Sequence, residues 1–220
     1  MANVERQEAR LIEVYTSVQG ESTWVGLPCV FVRFAGCNLR CTWCDSVFTF
    51  KGGTNRPIDD IVAEVVATGI PLVEVTGGEP LVHRSAAPLM QALLDRGLTV
   101  LLETSGSRDI ASVPAAVHII LDLKPPDSGE ERANLWSNIP LLRRKDEVKF
   151  VIASRRDYEW SRGVVREHGL EDRVGAVLFS PAWGLVDPRE LVEWIVADRL
   201  PVRFQVQMHK YVWPPEERGV

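Results

Sequence analysis

Pro28-Cys29-Val30-Phe31-Val32-Arg33-Phe34-Ala35-Gly36-Cys37-Asn38-Leu39-Arg40-Cys41-Thr42-Trp43-Cys44 holds the two signals from which the rest of the chain is read. Residues 29–34 are an apolar, β-rich run of the kind that forms a strand buried on both faces. Gly36 breaks that run, and three cysteines follow as C-x3-C-x2-C on a loop leaving the strand.

Outward from this stretch, short β-rich runs alternate with helix-period segments. Strands are predicted at 11–16, 29–34, 72–76, 99–103, 117–121, 147–152, 175–179 and 202–207. Ile58, Ile61, Val62, Val65 and Val66 make one apolar helical stripe, with Gly69 and Pro71 to end it. Ser85 is placed to cap a helix carrying Leu89, Leu93 and Leu94, with Gly97 as its stop. Asp187-Pro188-Arg189-Glu190 is a helix start: a capping residue, proline first, glutamate third. Leu191, Ile195 and Val196 then supply a buried face.

Strands alternating with helices imply an α/β fold with a parallel sheet and right-handed crossovers. About six βα units beginning at Cys29 predict an open, partial TIM-type (β/α)6 barrel. A single domain over 1–220 is expected: an N-terminal strand and loop at 11–28, the partial barrel at 29–208, and a tail at 209–220 that reaches the site. Ligands of such folds gather at the carboxyl ends of the strands. Gly36-Cys37, Thr76-Gly77-Gly78-Glu79, Glu103-Thr104, Asp122-Leu123-Lys124 and Ser180-Pro181 all follow predicted strands, which marks that rim as the site.

Composition excludes several function classes. The 220 residues are 45% apolar and 25% charged with net charge −5, ordinary for a globular protein. No Lys/Arg run supplies the basic patch of a nucleic-acid binder. The polar opening MANVERQEAR is neither a signal peptide nor an anchor, and no apolar run nears the roughly 18 residues of a spanning helix. No direct nucleic-acid or membrane contact and a cytoplasmic location are expected.

Four cysteines occur, at 29, 37, 41 and 44. Cys29 reads as a small core residue. In a reducing compartment three clustered cysteines point to metal ligation rather than disulfides. Thiolates suit iron and zinc alike, but structural zinc takes four ligands, commonly as two separated pairs. No second pair follows, and His83, His118 and Cys29 lack a diagnostic spacing. Cys37, Cys41 and Cys44 on a [4Fe–4S] cubane leave one iron open for a further ligand.

The cysteine spacing resembles that of the radical S-adenosylmethionine (SAM) superfamily, as does the strand tip Thr76-Gly77-Gly78-Glu79-Pro80. More narrowly, Val18-Gln19-Gly20-Glu21, Gly26-Leu27-Pro28, Phe31–Leu39 and Trp43-Cys44-Asp45-Ser46 resemble the 7-carboxy-7-deazaguanine synthases. Matches continue at Glu103-Thr104, Gly106, Lys124-Pro125-Pro126 and His209-Lys210-Tyr211; only 127–170 carries little resemblance. That family contracts 6-carboxy-5,6,7,8-tetrahydropterin to 7-carboxy-7-deazaguanine with loss of ammonia, a carbon–nitrogen lyase reaction on the route to deazapurine nucleosides such as queuosine, whether for tRNA, DNA or a secondary metabolite. SAM is cleaved to a hydrogen-abstracting radical and then regenerated.

Carried over by position, the resemblance implies SAM contacts at Trp43, Cys44, Asp45, Gly78, Asp122, Leu123, Lys124, Ser180, Pro181, Ala182 and Trp183. It also implies that Glu79 pairs with the SAM ammonium. Pterin contacts are implied at Val18, Gln19, Gly20, Glu21, Arg33, Thr76, Glu103 and His209, and at Val220 through its terminal carboxylate. Mg²⁺ at the substrate would take Ser46 as its protein ligand, and a flavodoxin or ferredoxin donor and a homodimer are implied partners. Ser22 stands where glycine is common, Asp122-Leu123 replaces Ser-Pro, and Ser46 replaces threonine but keeps the hydroxyl. Read without the resemblance, Arg33 is a structural ion-pair partner. A glycyl-radical-enzyme activase shares the cysteine loop and Gly-Gly-Glu-Pro but leaves Gln19-Gly20-Glu21 and Arg33 unexplained. A non-catalytic zinc module is the rival from another class.

Overall fold

The computed structural model of the chain describes residues 7–215 and 217–219. Nine strands form one sheet: β1 (Glu8–Val18), β2 (Pro28–Phe34), β3 (Thr54–Pro57), β4 (Leu72–Gly77), β5 (Thr99–Thr104), β6 (His118–Leu123), β7 (Glu147–Ile152), β8 (Ala176–Pro181) and β9 (Arg203–Phe204). Their order is β3-β1-β2-β4-β5-β6-β7-β8-β9, so the sheet is open, with β3 and β9 at its edges. From β2 to β9 every pairing is parallel; β1 runs antiparallel to both β2 and β3. The expected partial barrel is this curved, unclosed sheet.

Helices α1 (Ile58–Ala67), α2 (Ala86–Leu94), α3 (Arg155–His168), α4 (Leu170–Arg173), α5 (Pro188–Ala197) and α6 (His209–Val212) complete the regular structure. Alternate strand residues such as Val73, Val75, Leu102, Leu121, Phe150 and Phe179 pack outward against Ile61, Leu89, Leu93, Val165 and Leu191. This is the main core. Asp187 caps α5 as expected, its Oδ1 accepting from the Arg189 amide at 2.8 Å.

The structure departs from the sequence expectations where local pattern was weakest. Two crossovers, β5 to β6 and β6 to β7, contain no α-helix; Ile110, Val113, Ile139 and Leu142 from turns cover the sheet there instead. Helix α3 was not expected because its buried side includes Asp157, Tyr158 and Ser161 beside Val164 and Val165, which blurs the apolar stripe. Ser85 gives α2 no side-chain cap, and Val66 and Val196 end up exposed. The expected strand at 202–207 shrinks to Arg203–Phe204; beyond it the Gln205 backbone amide still bonds the Phe179 carbonyl at 3.0 Å, and its side chain bonds the Ser22 backbone through both ends of its amide.

The inner, concave face has two layers. Cys29, Phe31, Leu72, Leu101 and Ile120 form an apolar floor with Tyr15 and Trp24 against it. The segment after β1 crosses the open side above this floor, where Thr23 bonds Glu147 of β7 and the Gly20 carbonyl accepts from the Met208 amide at 2.9 Å. Leu101, fully buried, should be costly to truncate: Leu101→Ala is expected to lose about 2–5 kcal/mol in urea unfolding.

Candidate active site

Strand periodicity places the polar residues. On each strand, residues two apart from the floor point inward nearer the carboxyl end, which puts Arg33, Thr76, Glu103, Asp122 and Lys149 above the apolar layer. They line a cavity of about 290 Å³ whose mouth is the carboxyl-terminal rim.

The cysteine loop forms one side of that cavity. Gly78, at the β4 tip, packs so closely that a Cβ there would collide with the Gly36 carbonyl and Cys37. The Glu79 amide bonds the Gly36 carbonyl at 2.9 Å. On the far side, Thr42 donates its amide to the Ser128 carbonyl at 3.0 Å and its hydroxyl to the Asp127 carbonyl at 2.8 Å. Glu130 accepts from the Arg40 amide at 2.5 Å, and the Arg40 guanidinium lies over the Phe50 ring at 4.1 Å. Cys37, Cys41 and Cys44 are free, half-buried and all on the cavity wall. Burial raises each thiol, Cys41 to about 11, so a metal binding here displaces protons.

The donor set fits an iron–sulfur cubane. A structural zinc site takes four ligands, and the cavity wall offers three cysteines. Three soft sulfurs spread around one cavity wall match a larger polynuclear group. On the cavity wall, Asp122 Oδ1 is buried without a partner among the described residues. Native proteins rarely leave such atoms unmatched unless a ligand answers them.

The opposite wall is a buried charge network. Arg33 donates to Glu13 at 2.9 Å and to the Tyr15 hydroxyl at 2.7 Å. The ion pair read from sequence and the cavity-lining position are thus both present. Lys149, 4% exposed, bonds Glu21 at 2.5 Å and Glu103, and lies 3.4 Å from Asp122. Burial would lower this lysine, but Glu103, Glu21 and Asp122 outweigh it and hold the ammonium well above its ordinary value. Burial likewise works to raise Glu21, yet Lys149 draws it below its ordinary value. Lys124, 3.0 Å from Asp122, is raised against burial by that carboxylate.

Glu74 is sunk deeper. It pairs with Phe31 across β2 and with Leu101 across β5, level with the apolar floor, and accepts a bond from Gln19 Nε2. Burial first, then repulsion from Glu103 and Glu21, pushes its carboxyl well above the usual range.

The segment after β1 and the tail seal the site. Gly20 lies against the His209 ring, leaving no room for a Cβ, and Gln207 donates to Glu21 at 2.7 Å. Burial lowers the His209 imidazole below its ordinary value. Lys210 pairs with Asp45 at 2.9 Å, and Arg218 lies over the Phe48 ring at 4.1 Å. Ser46 donates to Asp45 at 3.1 Å and starts the 3-10 turn Val47–Phe50.

Of the residues singled out from sequence, Val18, Gln19, Gly20, Glu21, Arg33, Trp43, Asp45, Ser46, Thr76, Gly78, Glu103, Asp122, Lys124, Ala182, Trp183 and His209 line the cavity with the three cysteines. Leu123 does not, because its side chain joins the outer core; Ser180 and Pro181 lie buried behind the wall. Glu79, expected to pair with a cation, is not among the residues that line the cavity. It is fully buried, and its carboxylate accepts from the amides of Leu81 and Ser105 and the hydroxyls of Thr104 and Ser105 at 2.5–3.0 Å. It is a strut between the β4 and β5 tips. Val220 lies outside the described residues. Sequence reasoning missed Glu13, Tyr15, Glu74, Lys149 and Gln207. The available signal was a charge inside an otherwise apolar strand, as in Leu-Val-Glu-Val-Thr-Gly and Glu-Val-Lys-Phe-Val-Ile.

Comparison with known proteins gives a consistent result. The Radical SAM superfamily profile matches residues 31–162. The chain is 48% identical to a 7-carboxy-7-deazaguanine synthase of Koribacter versatilis, over 96% of this chain and 100% of that one. A second such synthase, from Chlorobaculum tepidum, is 44% identical over 94% and 96%. In fold it resembles the crystal structure of QueE from Escherichia coli, with TM-score 0.74, 22% identity, and coverage of 92% and 95%. Among the described residues no helix is long and apolar enough to cross a membrane.

A carboxyl raised by folding adds stability below its unfolded pKa and loses it as pH rises through the folded value. For Glu74 the loss therefore sets in above its unfolded value of about 4.3 and continues as pH rises towards its raised folded value. Glu74→Gln, which keeps an acceptor for Gln19, is expected to raise Tm at pH 8. The gain should shrink as pH falls towards 5, with each kcal/mol seen as about 2–4 °C.

Proposed function

The chain belongs to the radical SAM superfamily and, within it, to the 7-carboxy-7-deazaguanine synthase family, and from that premise we propose the roles of its site residues. It is a radical SAM enzyme that binds a [4Fe–4S] cluster and SAM, and it makes 7-carboxy-7-deazaguanine. The reaction we assign is contraction of 6-carboxy-5,6,7,8-tetrahydropterin with release of ammonia, in the class of carbon–nitrogen lyases. The observation that carries the assignment is one cavity walled on one side by three cysteines and on the other by matched carboxylates, a guanidinium and a buried ammonium.

Cys37, Cys41 and Cys44 would hold the cluster. The cluster and SAM together supply the one-electron chemistry that begins the ring contraction. The protein's own residues bind, orient and exclude water. Asp122 Oδ1, Lys124 and the close-packed backbone at Gly78 offer an acceptor, a cation and a steric cradle for SAM. Trp43, Cys44, Asp45, Ala182 and Trp183 complete its surroundings, with Leu123, Ser180 and Pro181 contributing from behind the wall. Glu79 would act by holding two strand tips in place.

On the pterin side, Arg33 is oriented through Nε and Nη2, which leaves Nη1 to donate to the substrate carboxylate. Glu21 and Glu103 would accept from the amino-pyrimidinone edge, with Val18, Gln19, Gly20, Thr76 and His209 around it. Matched buried polar groups discriminate strongly because an analogue lacking a partner leaves them unpaired. The Ser46 hydroxyl suits Mg²⁺, a hard cation that keeps several waters and takes few protein ligands. A flavodoxin or ferredoxin would supply electrons, and the working unit would be a homodimer. The product is destined for queuosine or another deazapurine.

The test is an anaerobic assay of reconstituted protein with SAM, reductant, Mg²⁺ and 6-carboxytetrahydropterin, following deazaguanine by absorbance and mass. Product is expected from the wild type and none above background from Cys41→Ala. Formation of 5′-deoxyadenosine without deazaguanine would remove the substrate assignment while leaving the superfamily intact. In the same assay Ser46→Ala is expected to raise the Mg²⁺ concentration needed for half-maximal rate; an unchanged requirement would remove Ser46 as the ligand.

A further inference from the structure

Lys149 sits midway along β7, whose neighbouring residues Val148 and Phe150 point outward into the main core. Its ammonium gathers carboxylates from three separate pieces of chain: Glu21 from the segment after β1, Glu103 from β5 and Asp122 from β6. Lys124 already pairs with Asp122, and Glu74 stands below, bonded to Gln19. Near neutrality one carboxylate would suffice to balance one buried lysine, and a hydrophobic replacement of a buried ion pair is often no less stable. A cluster with surplus carboxylates on a cavity wall is therefore poorly explained by stability alone.

Placement explains it better. Glutamate side chains are flexible, and ordering them when a ligand arrives costs affinity. Glu21 is held through one oxygen by Lys149 and through the other by Gln207 at 2.7 Å. Glu103 is held by Lys149 with a quarter of its side chain still open to the cavity. We propose that Lys149 is a positioning residue for the pterin, clamping Glu21 and Glu103 as fixed acceptors for its N–H-rich edge. This deepens the proposed function and rests on that reading. Lys149 stays an ammonium throughout, so it neither gives nor takes a proton. The groups facing it are Glu21, Glu74, Glu103, Asp122 and Lys124, with His209 and Asp45 farther off.

The test uses the reconstituted holoenzyme. Titration calorimetry with SAM present and reductant absent gives the Kd of 6-carboxytetrahydropterin, and turnover gives KM and kcat. Lys149→Met is expected to raise Kd and KM by about tenfold or more, with iron content unchanged and kcat within about threefold. Its KM should climb further as pH falls from 8 to 6, since carboxylates without their cation take up protons. Lys149→Arg, which keeps the charge, should recover much of the affinity. A Lys149→Met variant of normal iron content with wild-type Kd and a flat KM overturns the clamp.

Should that variant not fold, a cycle between Lys149→Gln, which removes the charge but stays polar, and Glu21→Gln decides. Strong non-additivity in KM supports the clamp, and additive effects overturn it. A wild type that neither binds nor converts the pterin overturns the proposed function and the clamp with it. A wild type that does both beside an unaffected Lys149→Met overturns the clamp alone.

Discussion

Charge on the concave face of an unclosed sheet has to be balanced within the fold, because water is largely excluded and no closing strand supplies partners. Here the balance centres on one ammonium. Lys149 draws Glu21, Glu103 and Asp122 to itself, and those contacts tie the segment after β1 across the open side to the middle of the sheet. The same segment reaches Glu74 through Gln19 and Glu147 through Thr23. Just past the edge strand β9, the Gln205 side chain bonds this segment as well. The cavity wall and the closure of the molecule are thus one set of interactions.

The other wall depends on close backbone approach. The Gly78 region packs onto Gly36 and Cys37 with no room for a side chain, and the turn at Pro126–Ser128 meets the cysteine loop through Thr42. Buttressed on both sides, the three cysteines share a wall although their thiols carry no charge of their own. Glu79 fits this account as a strut. Four donors meet its carboxylate, and they fix the strand tips.

The two crossovers without helices matter to the site as well. Between β6 and β7 a helix would cover the outer face of the sheet, whereas the succession of 3-10 turns brings Ser128 and Glu130 to the rim. That stretch carries little family resemblance in sequence, yet it holds the loop that carries the most.

The sequence alone was enough for the parallel α/β class, the rim on which the site lies and the metal-binding loop. Strand runs such as 147–152, the cap at Asp187 and the spacing of Cys37, Cys41 and Cys44 are local patterns whose physics acts over a few residues. Helix α3 was hidden because Asp157 and Ser161 interrupt its buried face, and the amides of Asp127 and Ala153 that satisfy Asp157 come from outside the helix. Lys149 and Glu74 were each visible as a charge in an apolar strand, but their meaning was not. Lys149 meets Glu21 at a separation of 128 residues, and no local pattern encodes that pairing. What tertiary structure decided was which charges face one another and which are left for a ligand, because electrostatic partnership depends on distance in space and on burial.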